Sequence, residues 1–529
     1  MVIFLLLAAC APEPVVQTPG GDDVLGTMDP VRALTRTSLD LRGVRPSSAE
    51  VAQVQADPAA LDTLTDAFLQ DTRFGGRVRD MWSEIYLSRS ESYLISASQY
   101  GMADQAAFQQ SVGEEPLQIL GYIAQNDLPY TELATGDWTM ANETLATIWP
   151  IDYPQGASGW QKARYNDGRP AAGVLATNGM WWRYTSTDSN ANRKRANAAS
   201  RILLCSDYLV RPIEFDRNVN LLDEDAVNDA LVTNPGCANC HISLDPLASY
   251  FFGFWWYDYT NPGEASYYFP EREQRWRDYT GLAPGYYGQV GYNLADLGHQ
   301  IAADHRFPAC AVEQAYGLLL RRDLTPEDDN ALLLHRNAFI NGGLTMRSLL
   351  RSVVADPRYR APDTDASGYV PLKMVTPDLL ATEIEGLTGY HYTYSGYDLM
   401  RNDTYGFRTL AGGADGYNVT ATARSANATM VLVQERLAEA AAWYVVKNDP
   451  ARLFSVDFTE TPDTDRDRMV AQVQALHLAL FGKTVAADSD EVTAGLELWA
   501  DLYAAQRDIP AAWAGLLSAL LRDPEMLYY

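Results

Sequence analysis

Cys237-Ala238-Asn239-Cys240-His241, followed by Ile242-Ser243-Leu244-Asp245-Pro246, is the stretch on which the reading of this chain turns. Two thiols three positions apart, with an imidazole next to the second, have the spacing of a c-type haem attachment site. Each thiol adds across one vinyl group of the same porphyrin, so the pair must stand about one turn apart. The adjacent imidazole then reaches the iron from the proximal side. With five Cys and six His in 529 residues, the pattern arises by chance about once in two thousand chains of this composition. The expected cofactor is one covalent haem c on Cys237 and Cys240, with His241 as the proximal iron ligand. Asn234-Pro235-Gly236 reads as a turn ahead of the motif. Asp245-Pro246 reads as the N-cap and first position of a new helix behind it.

Two other readings use the same residues. Half of a zinc site needs two more ligands, and there is no second Cys pair, because Cys205 and Cys310 stand alone. A dithiol redox pair leaves His241 without a role and lacks a thioredoxin-like βαβ pattern.

Composition bounds the rest. The chain is 47% hydrophobic and 21% charged, an ordinary globular balance. Its 41 Lys and Arg against 68 Asp and Glu give a net charge of −27, which repels nucleic acid and anionic lipid at long range. Such a surface keeps the protein soluble and suits a basic redox partner. The N-terminus, Met1 to Cys10, is apolar but far too short to span a bilayer. Leu7-Ala8-Ala9-Cys10 resembles the lipobox of bacterial lipoproteins, in which the Cys becomes the lipidated N-terminus. Ala11 in place of Asp resembles the sorting pattern for the outer membrane. The expectation is a signal peptide over 1–10, lipidation of Cys10, and residence in the periplasm or on the cell surface, with the lipid as the membrane anchor. In that oxidising compartment the two remaining cysteines, Cys205 and Cys310, are expected to pair as a disulfide; two buried free thiols are the alternative.

Residues 11–36, rich in Pro, Gly and Asp, read as a flexible tether. The expected units are an N-terminal helical module over 37–200, a haem-binding domain with a following helical module over 201–360, and a C-terminal helical domain over 373–529. Apolar periodicity predicts helices at 294–303, 309–320, 326–339 and 344–354, then at 377–386, 424–447, 465–481, 489–505 and 510–521. Residues 156–168 read as a Gly-containing loop. A loose repeat of a helix pair closes at Asp71-Thr72-Arg73-Phe74, Asp356-Pro357-Arg358-Tyr359 and Asp523-Pro524-Glu525-Met526. Its copies open at Arg45-Pro46-Ser47-Ser48-Ala49-Glu50, Thr325-Pro326-Glu327-Asp328 and Ser489-Asp490-Glu491-Val492. The fold class expected is mainly α: a multi-helical composite with a cytochrome c-like segment, repeated helix-pair modules and little β.

With these residues in view, the chain resembles the planctomycete-type families of c-haem domains of unknown function. The likeness is carried by Leu203-Leu204-Cys205, Pro212, Cys237, Cys240, His241, Leu244, Asp245 and Pro246. It extends to Leu41-Arg42-Gly43-Val44-Arg45-Pro46, Arg73-Phe74 and Phe307-Pro308-Ala309-Cys310. After Pro246 the chain departs, with Leu247-Ala248-Ser249-Tyr250-Phe251-Phe252 where the family continues Leu-Gly-Phe. The resemblance implies an exported haem protein, and the recurrence of both outlying Cys in the family supports their pairing. It supplies no reaction.

The sixth iron position separates electron transfer from catalysis. Candidates are Met180, among Trp residues, and His299, with His305 and Met346 behind them. Core packing is the competing reading for Met180, and a surface or capping role for the two His. The favoured function is electron transfer. The alternatives are a haem enzyme of peroxidase or oxidase type with an open sixth position, and a binding lipoprotein braced by haem. Asp463-Thr464-Asp465 begins like a calcium loop, but Arg468 and Gln474 stand where Gly and Glu are needed, which leaves an acidic helix start.

Overall fold

The computed structural model describes residues 27–210, 219–220, 222–254, 261–362 and 373–529. The protein is 59% helix and 5% strand, which places it in the mainly α class. Among the described residues, strand is confined to one three-stranded antiparallel sheet and two hairpins. The sheet joins Thr139–Ala141, Gln161–Tyr165 and Ile151–Asp152; the hairpins pair Gly285–Tyr286 with Gln289–Val290 and Thr393–Tyr394 with Tyr397–Asp398. The middle strand of that sheet lies in the stretch read as a loop. Gly156 and Gly159, both at positive φ, serve the turn before it, and the strand starts once they are passed.

The N-terminal end corrects the sequence reading. A helix runs over Pro30–Arg42, beginning inside the expected tether. The Asp29 carboxylate accepts from the backbone N–H of Val31 and Arg32 at 3.0 and 3.1 Å, and Pro30 takes the first helical position. A proline that suggests a linker in the sequence is here a helix-start signal. Every residue from Ala33 to Arg42 is buried. Leu34 and Leu41 enter one core, which draws residues from Met28 to Tyr359 on both sides of position 200; Leu39 enters a second, built from Val375 to Tyr529. The helix is thus a mast between the two. The stretch read as a signal peptide, Cys10 and the rest of 1–26 lie outside the described residues.

Three helix pairs recur along the chain: Ser48–Ala56 with Ala60–Phe68, Asp329–Asn341 with Met346–Val354, and Asp490–Gln506 with Ile509–Leu521. Each begins at a hydroxyl cap. Ser47 and Thr325 form reciprocal capping boxes with Glu50 and Asp328, and Ser489 Oγ accepts from Val492 N–H. Each ends in an Asx turn, in which Asp71, Asp356 and Asp523 accept the N–H of Arg73, Arg358 and Glu525 at 2.9, 2.7 and 2.9 Å. The next side chains, Phe74, Tyr359 and Met526, are fully buried. An Asp that turns the chain and an apolar residue that plunges into the core therefore fix where each pair stops.

The mast and two of these closing segments meet at a buried ionic junction. Asp40 Oδ2 accepts from Tyr359 O–H at 2.7 Å and from Lys373 Nζ, and Asp40 Oδ1 accepts from Tyr529 O–H at 2.8 Å. Arg36 donates to the carbonyls of Tyr359 and Tyr529 at 3.0 and 3.3 Å. Lys373 is fully buried, and desolvation outweighs its pairing with Asp40, pushing its ammonium down to about 7.

A second buried group ties the long helix Gln105–Gln125 to the sheet. Glu115 accepts from Thr139 O–H (2.8 Å), Tyr165 O–H (2.7 Å) and Gly179 N–H (2.8 Å). Burial overrides these donors and the nearby Arg169 charge, and pushes the carboxyl up to about 7. The folded protein therefore keeps this proton to a higher pH than the unfolded chain, which loses it near 4.5. The resulting stability is full below that pH and is lost as pH rises towards 7, by an amount on the order of 2–3 kcal/mol. Glu115→Gln is expected to flatten the stability profile over this interval in urea titrations; an unchanged slope in the variant rejects the assignment.

Candidate functional site

The C-x-x-C-H residues lie in the first two turns of a helix, Pro235–Ala248. Asn234 is its N-cap, accepting from Gly236 N–H at 2.9 Å, and Pro235 is its first residue. The sequence reads 234–236 as a turn and starts a helix at Asp245-Pro246. The structure reverses this: the first Asx-Pro opens the helix, and Pro246 sits inside it. A proline there removes one helical hydrogen bond and resists helical backbone before it. Asp245 is held in the helix by its own side-chain partners.

At roughly 100° per residue, Cys237, Cys240 and His241 fall within a sector about 100° wide. All three are half-buried, and neither thiol is in a disulfide. His241 Nδ1 lies 2.9 Å from Asp245 Oδ1, one turn further along. Asp245 is buried and clamped by Arg193, whose Nε and Nη2 donate to its two oxygens at 2.7 and 2.9 Å. An ionised carboxylate only accepts, so the imidazole proton sits on Nδ1 and the Nε2 lone pair is left open. Arg193 opens the helix Arg193–Leu204, which packs on the motif helix and ends at Cys205. Cys205 and Cys310 are joined by a disulfide with Cα atoms 5.2 Å apart, as the cysteine count leads one to expect.

The surface around the motif is unusual for so acidic a protein. The four most exposed large apolar side chains among the described residues are Leu222 (98%), Val210 (78%), Leu209 (77%) and Ile242 (76%). Ile242 is on the motif helix. Leu209 and Val210 follow Tyr208, whose hydroxyl lies 2.9 Å from Ser243 Oγ on that helix. Leu222 precedes the helix Glu224–Thr233, which packs against it. Val290 is exposed on the hairpin whose first strand packs on the same helix.

Met180 is buried in the main core on the short helix Asn178–Arg183, and Met346 is buried on Met346–Val354. His299 and His305 are exposed on the surface. Tyr250, Phe251, Phe252 and Phe254 are core side chains, with Phe251 packed on Trp181 at 4.7 Å between ring centroids; 255–260 lie outside the described residues, as does Pro212. His335 is buried between Ser352 Oγ and Asp356 Oδ2, a structural role. Asp465 caps the helix Arg466–Phe481, and Asp415 holds a turn through three backbone N–H groups. A cavity of about 180 Å³ lined by Trp138, Arg164, Tyr165 and Arg169 is smaller than cofactor sites usually are and includes no motif residue.

Sequence reasoning missed the pair formed by Asp245 and Arg193. The signal was present: His241 and Asp245 are four apart, the spacing of neighbours on a helix face. Reading Pro246 as a helix start hid it. Among the described residues no helix is long and apolar enough to cross a membrane. No protein-family model, curated protein or solved structure matches this chain, so what it does must be argued from the geometry of the motif helix itself.

Proposed function

We propose that this is an exported, lipid-anchored protein that carries one c-type haem covalently on Cys237 and Cys240, with His241 as the proximal ligand, and that it transfers electrons. It fits the c-haem domain families that the sequence resembles. The carrying observation is the motif helix: two unpaired thiols and an imidazole with an open Nε2 share one face of it. A porphyrin is a large apolar plate, and covering exposed apolar side chains beside it removes apolar surface from water. When bound, the haem supplies one-electron exchange at iron. The chain's own residues attach it, orient the imidazole and shield its edge. The acidic surface favours a basic partner, with encounter rates that fall as salt rises.

One observation favours a second reading, a haem enzyme with an open sixth position. Met180, one of the distal candidates, is committed to packing in the core.

The test is the absorption spectrum, oxidised and reduced, of protein matured with haem-attachment machinery. A covalent c-type spectrum is expected. Six-coordinate, low-spin iron that ignores carbon monoxide and cyanide supports the carrier; binding of either supports the enzyme. A folded protein without haem rejects both.

A further inference from the structure

Asp245 does more in this geometry than fill a helical turn. It is buried, it accepts from His241 on its own helix, and it is gripped in two-point fashion by a guanidinium 52 positions away in sequence. Arg193 is itself half-buried and also donates to the Ser189 carbonyl at 3.3 Å. Its helix is fastened by the Cys205–Cys310 disulfide, and Asp245 is further fixed by Ser249, which donates to its carbonyl at 3.0 Å. The imidazole is therefore backed by a carboxylate whose position is set from two helices. A carboxylate behind a ligating imidazole fixes the tautomer and raises the basicity of the ligating nitrogen.

We infer that Asp245 and Arg193 are a push–pull pair that sets the donor strength of His241, and with it the reduction potential of the bound group; this rests on the haem reading above. The carboxylate draws the Nδ1 proton towards itself and leaves more electron density on Nε2, which stabilises the oxidised metal and lowers the potential. Arg193 draws density from the same carboxylate and moderates the effect. Both are positioning residues, since neither touches the metal.

The two substitutions have opposite signs, which a merely structural role does not produce. In haem-loaded protein, Asp245→Asn is expected to raise the reduction potential and Arg193→Gln to lower it. In the double variant the Arg193 shift is expected to vanish, because the carboxylate through which it acts is gone; a shift that persists there is a through-space charge effect and overturns the pairing. Shifts of the same sign, or no shift, overturn it too. If Asp245→Asn fails to fold, the His241 tautomer of the wild type decides. The haem-free protein gives a second readout: ¹⁵N NMR is expected to show His241 as the Nδ1–H tautomer in the wild type and as a mixture in Asp245→Asn. A wild type that takes up no haem overturns the attachment reading, while the tautomer still reports on the pair; a mixed tautomer in the wild type overturns the pair itself.

Discussion

Protein in which Cys237 and Cys240 are both replaced by Ser is expected to contain no covalent haem and to keep its fold. The loss is complete rather than graded, because a hydroxyl does not form the thioether and His241 alone leaves only a reversible bond to iron. The fold survives because both thiols are half-exposed and neither is in a disulfide. A half-exposed Cys→Ser change in a capped helix is worth well under about 1 kcal/mol. The measurement is haem staining on a denaturing gel, with circular dichroism of the same preparations. Haem that stays on the chain in the double variant shows attachment elsewhere. Loss of helix along with loss of haem makes the group a brace of the scaffold.

Asp40→Ala is expected to be the most destabilising single change among the residues described. It leaves Lys373 buried without its carboxylate, and it removes the acceptor of the Tyr359 and Tyr529 hydroxyls. Breaking a buried pair from one side costs about 3–5 kcal/mol, because the remaining charge has no water to return to. Lys373→Met removes the other partner and supplies an apolar chain of similar length, so it is expected to cost less. The double variant should recover part of the Asp40→Ala loss. Chemical denaturation of the three variants gives the comparison. A loss below about 1 kcal/mol for Asp40→Ala means that the junction is wet or that Lys373 is neutral there.

Much of this protein is legible in local signals. The helices of the C-terminal part stand close to where apolar spacing puts them, for example Arg466–Phe481 and Asp490–Gln506. The three helix-pair stops are legible because an Asp that accepts from the N–H two residues on is a local hydrogen bond that needs no distant partner. The chemistry of Cys237, Cys240 and His241 is likewise a matter of spacing along one chain.

Tertiary structure decided what local signals leave open. Two Asx-Pro pairs flank the motif, at 234–235 and 245–246, and by local chemistry either can start a helix. The second does not, because Asp245 is spent on His241 and on Arg193, a partner 52 residues back. Residues 30–36 carry the composition of a linker, yet they open a helix buried between two cores, and that burial is supplied by side chains as distant as Tyr359 and Tyr529. The sequence by itself determined which groups could react and where the chain turns, since both depend on neighbours in the chain. Which of those groups became paired, buried or left exposed was decided only when packing brought distant segments together, because burial and ion pairing depend on neighbours in space.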